Sequence, residues 1–104
     1  MKRFIVEREI PGAGNLTADE LAELSTKSVI AAASLGVPYR WITSYVAGDK
    51  VYCLHEAEDV DVVREHSRRC GLPASTVAQV VNEIGGHTAE ALVNTDAPAD
   101  RNGE

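Results

Sequence analysis

Two cysteines, two histidines and a pair of glutamates are spaced in this chain so that they could share a binding site. Cys53 and His55 are two residues apart, which places both side chains on one face of a strand. Glu7 and Glu9 have the same spacing on an earlier segment. Imidazole, thiolate and carboxylate together suit a borderline transition ion such as Ni²⁺, Zn²⁺ or Cu²⁺.

A second pair, His66 and Cys70, has helical spacing of four residues, so both side chains lie on one helix face. The predicted metal ligands are His66, Cys53, Glu9 and His55. Taken singly, each has an ordinary structural role: a cysteine packs as a small apolar group, a histidine makes a polar contact, and a glutamate is solvated. Both interpretations stay open at the level of sequence.

Patterns typical of catalysis are missing from the chain. It has no nucleophile elbow, Walker loop or Rossmann glycine motif. Glu7 with Glu9, or Tyr45 with His55, could act as an acid–base pair on a ligand held nearby. Spacing does not favour either pair over packing, so no catalytic residue is predicted and binding is favoured over an enzymatic role.

The elements that position these residues follow from patterning and capping signals. Thr17 and Glu20 form a capping box that starts a helix, and Gly36 ends it. Strands are predicted at residues 4–10, 40–47, 50–57 and 76–84, and a second helix between Asp59 and Gly71. The order β-α-β-β-α-β predicts an α+β, ferredoxin-like fold with a four-stranded antiparallel sheet and two helices on one face.

Strand alternation then assigns side chains to the two sheet faces. The residues predicted to meet the helices are Phe4, Val6, Ile42, Val46, Val80 and Ile84. Those predicted on the helix-free face are Ile5, Glu7, Glu9, Trp41, Thr43, Tyr45, Val51, Cys53, His55, Val77, Gln79 and Val81. Such a face is too apolar for a monomer, so we expect a homodimer that stacks two sheets as an α+β barrel. The cavity between the sheets would bind a small apolar ligand through Trp41, Tyr45 and Glu7.

Length, charge and cysteine content argue against several classes of protein. The 104 residues predict one domain over residues 1–84 and an acidic, flexible tail over 85–104. A net charge of −6 argues against a nucleic-acid partner. No apolar run approaches the ~20 residues that a membrane helix needs. Two cysteines are too few for a disulfide framework, which predicts a cytoplasmic location.

Five segments together resemble a small family of bacterial, actinobacterial-type ferredoxin-like proteins. They are EREIPGAG at 7–14, SYV at 44–46, KVYC at 50–53, VREH at 63–66 and GLPA at 71–74. Members of that family are of unknown function and are often described as nickel-binding. The resemblance implies the ferredoxin-like fold, a homodimer and nickel as a ligand, with Cys53 and His66 inside matching segments.

Three functions follow as hypotheses. The first is a homodimeric protein that binds a transition metal, nickel foremost, as a store, sensor or buffer. The alternative is a small-molecule binder, or an enzyme of the oxygenase or isomerase type, that uses a cavity between the dimer sheets. The third is an interaction module whose helix-free face only meets another protein.

Overall fold

The structure, a computed structural model, describes residues 1–93 of the chain. Its strands are β1 (Lys2–Glu9), β2 (Tyr39–Ala47), β3 (Lys50–Ala57) and β4 (Thr76–Gln79). Its helices are α1 (Ala18–Ser34), α2 (Val60–Cys70) and α3 (Gly86–Val93), with a 3₁₀ turn at Ala13–Asn15. The predicted tail therefore begins with a short helix, and the rest of it, residues 94–104, lies outside the described residues.

Local signals in the sequence set where α1 and α2 begin and end. The Thr17 hydroxyl accepts a hydrogen bond from the Glu20 backbone N–H at 3.1 Å, and the Glu20 carboxylate accepts from the Thr17 N–H at 2.9 Å. Asp59 caps α2 by accepting from two backbone N–H groups. Gly71 ends α2 at φ 74°, a left-handed conformation that glycine adopts without strain.

The sheet has the strand order β2-β3-β1-β4, and every neighbouring pair is antiparallel. With α1 and α2 packed on one side, this is the ferredoxin-like fold. The core between helices and sheet contains Phe4, Val6, Val51, Cys53 and Val63. Among the helices in the described part of the chain, none combines the length and apolarity needed to cross a membrane.

The predicted orientation of β3 was wrong. β3 pairs with β1 so that Val6 lies opposite Cys53 and Phe4 lies opposite His55. Paired residues point to the same face of an antiparallel sheet. Because Phe4 and Val6 face the helices, Cys53 and His55 do so as well, together with Val51. Alternation alone could not decide this, since both sides of β3 are half apolar.

The predicted position of Trp41 was also wrong, because β2 is irregular. The pairing with β3 shifts between Trp41 and Thr43, where Ile42 forms a bulge. A bulge reverses the alternation beyond it. Trp41 is therefore opposite the inward-facing His55, while Tyr45 beyond the bulge points outward as predicted. Ile42, expected under the helices, is 37% exposed.

The alternation predicted for the last strand was reversed. Val6 lies opposite Val77, and Phe4 opposite Gln79, so Val77 faces the helices. β4 ends at Gln79, five residues before the predicted end at residue 84. Val81 and Ile84 lie beyond it and are 81% and 80% exposed. The sheet side opposite α1 and α2, called here the outer face, thus presents Ile5, Glu7, Glu9, Thr43, Tyr45 and Ala78.

Candidate functional site

A cluster of polar side chains is buried between the helices and the sheet, where an ordinary core would be apolar. It is formed by Arg8 of β1, Tyr39 of β2, His55 of β3, Ser28 of α1, and His66 and Ser67 of α2. Arg8, His55 and His66 are among the largest fully buried side chains of the protein. Because buried polar groups are costly, this concentration marks the cluster as the candidate site.

Tyr39 connects the two histidines. Its hydroxyl lies 2.8 Å from Nδ1 of His55, and its ring stacks on His66 with a centroid separation of 4.6 Å. The two imidazoles are 5.2 Å apart, centroid to centroid. Burial raises the pKa of Tyr39, so its hydroxyl keeps its proton and can donate it to His55 Nδ1. We assign the Tyr39 hydroxyl as the donor in this contact, which puts the imidazole proton of His55 on Nε2.

His66 links α2 to α1. Its Nε2 lies 3.0 Å from the backbone carbonyl of Ser28, to which it donates, and 3.3 Å from the Ser28 hydroxyl. The proton on Nε2 leaves Nδ1 as an acceptor. Within the described residues, neither Nδ1 of His66 nor Nε2 of His55 has a hydrogen-bond partner.

Both histidines are held neutral. Burial is the main cause that lowers the pKa of His55, to about 3, and His66 and Arg8 lower it further. Burial also lowers the pKa of His66. The hydrogen bond to the Ser28 backbone opposes this shift, and the positive charge of Arg8 adds to it. Neutral imidazole is the form that can donate from one nitrogen and accept at the other.

Arg8 carries the cluster's only permanent charge among the described side chains. Its Nη1 donates to the Ser67 hydroxyl at 2.9 Å and to the Pro73 carbonyl at 3.0 Å, while Nε is buried without a partner. Among the side chains of residues 1–89, no carboxylate forms an ion pair with it. Arginine is almost never buried unless it is paired.

A cavity of about 220 Å³ adjoins the cluster, between α1 and the sheet. Its polar lining comes from Arg8, Ser25, Ser28, Ser44, Cys53 and His55. The rest is apolar and consists of Ile10, Leu21, Leu24, Trp41, Val46, Val51 and Leu72. The indole N–H of Trp41 donates to the Ser44 hydroxyl at 2.8 Å, which fixes the ring beside the cavity.

The structure does not bring the four predicted metal ligands together. Cys53, His55 and His66 lie inside, under the helices, and Cys53 is a buried free thiol. Glu9 is exposed on the outer face and is paired with Lys50 in the sheet register. Within residues 1–93, no three His, Cys, Asp or Glu side chains are arranged so that they could hold a metal ion.

The predicted cofactor-binding set is divided as well. Trp41 lines the inner cavity, whereas Tyr45 is 67% exposed on the outer face. Glu7 also lies on the outer face, where Lys50 contacts it at 3.5 Å. These three residues therefore cannot line one cavity within a chain, because the sheet separates Trp41 from the other two.

Sequence reasoning overlooked Arg8 and Tyr39, which hold the cluster together. Arg8 alternates with Phe4 and Val6 on the inward side of β1. A charged residue at an inward position of a strand was a visible signal. Tyr39 comes just before the predicted start of the second strand, and its inward direction depends on the bulge at Ile42.

Comparison with known proteins gives two matches. A family model described as "Nickel responsive protein SCO4226-like" matches residues 4–80. A solved structure, described as a crystal structure analysis of SCO4226 from Streptomyces coelicolor A3(2), aligns with a TM-score of 0.65 and 19% sequence identity. The alignment covers 79% of this chain and 99% of that chain, and it shows a shared fold. No curated protein matches the chain.

Proposed function

The chain belongs to the SCO4226-like family of nickel-responsive proteins, and from this premise we propose that it is a non-catalytic, homodimeric protein that binds Ni²⁺. The observation that carries the proposal is the extent of the family match. Residues 4–80 include both long helices and nearly the whole sheet. Membership also agrees with the resemblance seen in the five sequence segments.

The buried cluster is a poor place for the ion. His55 and His66 supply the nitrogen donors that nickel prefers, but they are 1% and 0% exposed. Arg8 lies close enough to depress the pKa of both rings, and the same positive charge would repel a divalent cation. With no third His, Cys, Asp or Glu arranged with them in the described residues, the two imidazoles do not make a closed nickel site.

We therefore place the metal on the outer face, where Glu7 and Glu9 point away from Arg8. The Lys50 ammonium lies 3.5 Å from Glu7 there, but its side chain is partly exposed, so an incoming cation can displace it into solvent. The net charge of −6 attracts cations to the surface. In a homodimer that stacks the two outer faces, carboxylates of both copies approach one another. Like charges that meet in this way repel, and a cation held between them removes the repulsion.

Calorimetric titration of tag-free protein with Ni²⁺ tests the proposal. Replacing both carboxylates, by Glu7→Gln with Glu9→Gln, should weaken binding by at least about tenfold, the effect of losing two charged ligands. The matched control is Glu23→Gln with Glu58→Gln, which changes the net charge equally at exposed positions elsewhere. This control should bind as the unmodified protein does.

Two results would contradict the proposal at different levels. Absence of binding below millimolar Ni²⁺ would remove the nickel function itself. A thiolate-to-nickel charge-transfer band in the absorption spectrum would place the ion on one of the two buried thiols, Cys53 or Cys70, and move the site into the core.

A further inference from the structure

The inner cavity has an unpaired positive charge in its wall. Arg8 is 2% exposed and lines the cavity, and no carboxylate among residues 1–89 forms an ion pair with it. A buried charge without a counter-ion is unfavourable, because desolvation is not compensated. An anion that entered the cavity would supply the missing counter-charge.

The guanidinium has one edge left for such an anion. Both hydrogen bonds to Ser67 and Pro73 leave from Nη1, so the edge formed by Nε and Nη2 remains. Two N–H groups side by side match the two oxygens of a carboxylate. A carboxylate is therefore a better fit than a single-atom anion such as chloride.

His55 adds a second donor in the same cavity wall. With Tyr39 assigned as the donor to Nδ1, the proton of His55 is on Nε2, and this atom is buried without a partner in the described residues. His55 is 1% exposed and lines the cavity together with Arg8. Two buried donors that both lack an acceptor point to a ligand rich in oxygen lone pairs.

The volume of the cavity and its apolar lining indicate what the rest of the ligand is. A dry cavity of about 150 Å³ holds benzene, so 220 Å³ admits one ring or a short alkyl chain together with a carboxylate. Leu21, Leu24 and Val51 offer an apolar surface, and Trp41 offers a flat one. Val46 lines the cavity and is 41% exposed, so the cavity reaches the protein surface there.

We infer that this cavity binds a small carboxylic acid with an apolar body, of the aryl or short-alkyl class, as its anion. The carboxylate pairs with the Nε edge of Arg8 and accepts a hydrogen bond from His55 Nε2. The apolar body lies between α1 and Trp41. This site is on the opposite side of the sheet from the proposed metal site, and the inference does not depend on nickel binding.

The single tryptophan makes binding directly observable. Because Trp41 is the only tryptophan of the chain and lines the cavity, its fluorescence reports occupancy. The probes are phenylacetate and hexanoate, with phenylacetamide and phenethylamine as neutral and cationic counterparts. We expect a saturable change with both carboxylates, and binding at least about tenfold weaker for the amide and the amine, as loss of a charged hydrogen-bonded pair requires.

Variants separate recognition from folding. Arg8→Met should abolish carboxylate binding, and Arg8→Lys should retain the charge but weaken binding because it lacks the two-donor edge. Since Arg8 also contacts Ser67 and Pro73, its variants could fail to fold. Ser25→Phe places a ring in the cavity from α1 without touching Arg8, and it should block binding while circular dichroism stays unchanged.

Each outcome of these experiments either supports the proposed site or overturns it. Selective carboxylate binding that is lost in Arg8→Met, or in Ser25→Phe if Arg8→Met does not fold, establishes the site. Equal binding of phenylacetate and phenylacetamide would overturn it, because the charge would then play no part. No saturable signal from either carboxylate would overturn it as well.

Discussion

His55 and His66 are neutral in the folded protein because burial and the nearby guanidinium of Arg8 oppose their protonation. The groups that face them are Arg8 from β1, Tyr39 from β2, Ser28 from α1 and each other, and none of these is a carboxylate. Protonation in the folded state would therefore add a second unpaired buried charge. The unfolded chain has no such restriction, so the two states differ in the protons they bind.

This difference predicts acid sensitivity in a defined pH range. The unfolded histidine binds a proton below about pH 6.5, whereas folded His55 binds one only near pH 3. The contribution of neutral His55 to the free energy of unfolding is thus fully present above about pH 6.5. It falls as the pH drops from there toward pH 3, by about 1.4 kcal/mol per pH unit for one histidine. Urea unfolding at several pH values between 7.5 and 5 measures the slope.

Variants of single histidines provide the control for this prediction. His55→Asn should reduce the slope above pH 5, and His87→Asn, at an exposed position, should leave it unchanged. Carboxylates paired with arginine lose their contribution to stability at lower pH than this. The hydrogen bonds from Arg68 and Arg69 hold the pKa of Glu65 at about 2. Equal slopes for the His55 variant and the unmodified protein would show that folded His55 is not held neutral.

At the scale of elements, the first turn of α1 is fixed by local hydrogen bonds, while its inner side is only partly buried. Only Ser28 and Ala31 of this helix are fully buried, and the cavity lies beneath part of its inner side. The capping box of Thr17 and Glu20 satisfies two backbone N–H groups that the helix itself leaves without partners. It also fixes where the helix starts, and so which residues line the cavity.

Removing this cap should destabilise the protein measurably. Thr17→Ala loses the hydroxyl acceptor and is expected to cost about 1 kcal/mol. The matched control is Thr26→Ala in the same helix. Its exposed hydroxyl donates a hydrogen bond to the Ala22 carbonyl and caps nothing, and alanine is the better helix former. Chemical denaturation of both variants at pH 7.5 compares them, and an equal loss in the two would deny Thr17 a special role.

Signals confined to one element predicted that element well, and signals that depend on a neighbouring strand did not. The capping box and Gly71 gave the helix ends because their hydrogen bonds are local. The side chains of β3 and β4 could not be assigned to faces, because pairing with β1 decides their direction. Nothing in the local sequence predicts the bulge at Ile42. Because of it, Trp41 lines the inner cavity under the helices and does not lie on the outer face, where it was predicted.

For the whole molecule, the outer face remains the surface through which we propose that two copies associate. Ile5 is 37% exposed there and Tyr45 is 67% exposed. Large exposed side chains on a sheet face favour burial against a second sheet. Glu7 and Glu9 follow Ile5 along the outer side of β1, so association and metal binding would occur at the same surface.

A charge placed in this surface should prevent association. Ile5→Glu adds an unpaired carboxylate at the proposed interface, and we expect a dimer to become a monomer at micromolar concentration in light scattering coupled to size-exclusion chromatography. Ile30→Glu is the control, since Ile30 is 62% exposed on α1, away from the outer face. A monomeric unmodified protein, or dimers of both variants, would contradict the proposed interface.

The two cysteines are each covered by a different layer of the fold. Cys53 belongs to the sheet beneath α1 and is 5% exposed, and Cys70 belongs to α2 and is 6% exposed. Cys53 also lines the inner cavity, so a small alkylating reagent reaches it through that cavity, whereas Cys70 is reached when the packing of α2 on α1 opens. The alkylation rate of Cys53 therefore reports access to the cavity, and that of Cys70 reports local opening of α2.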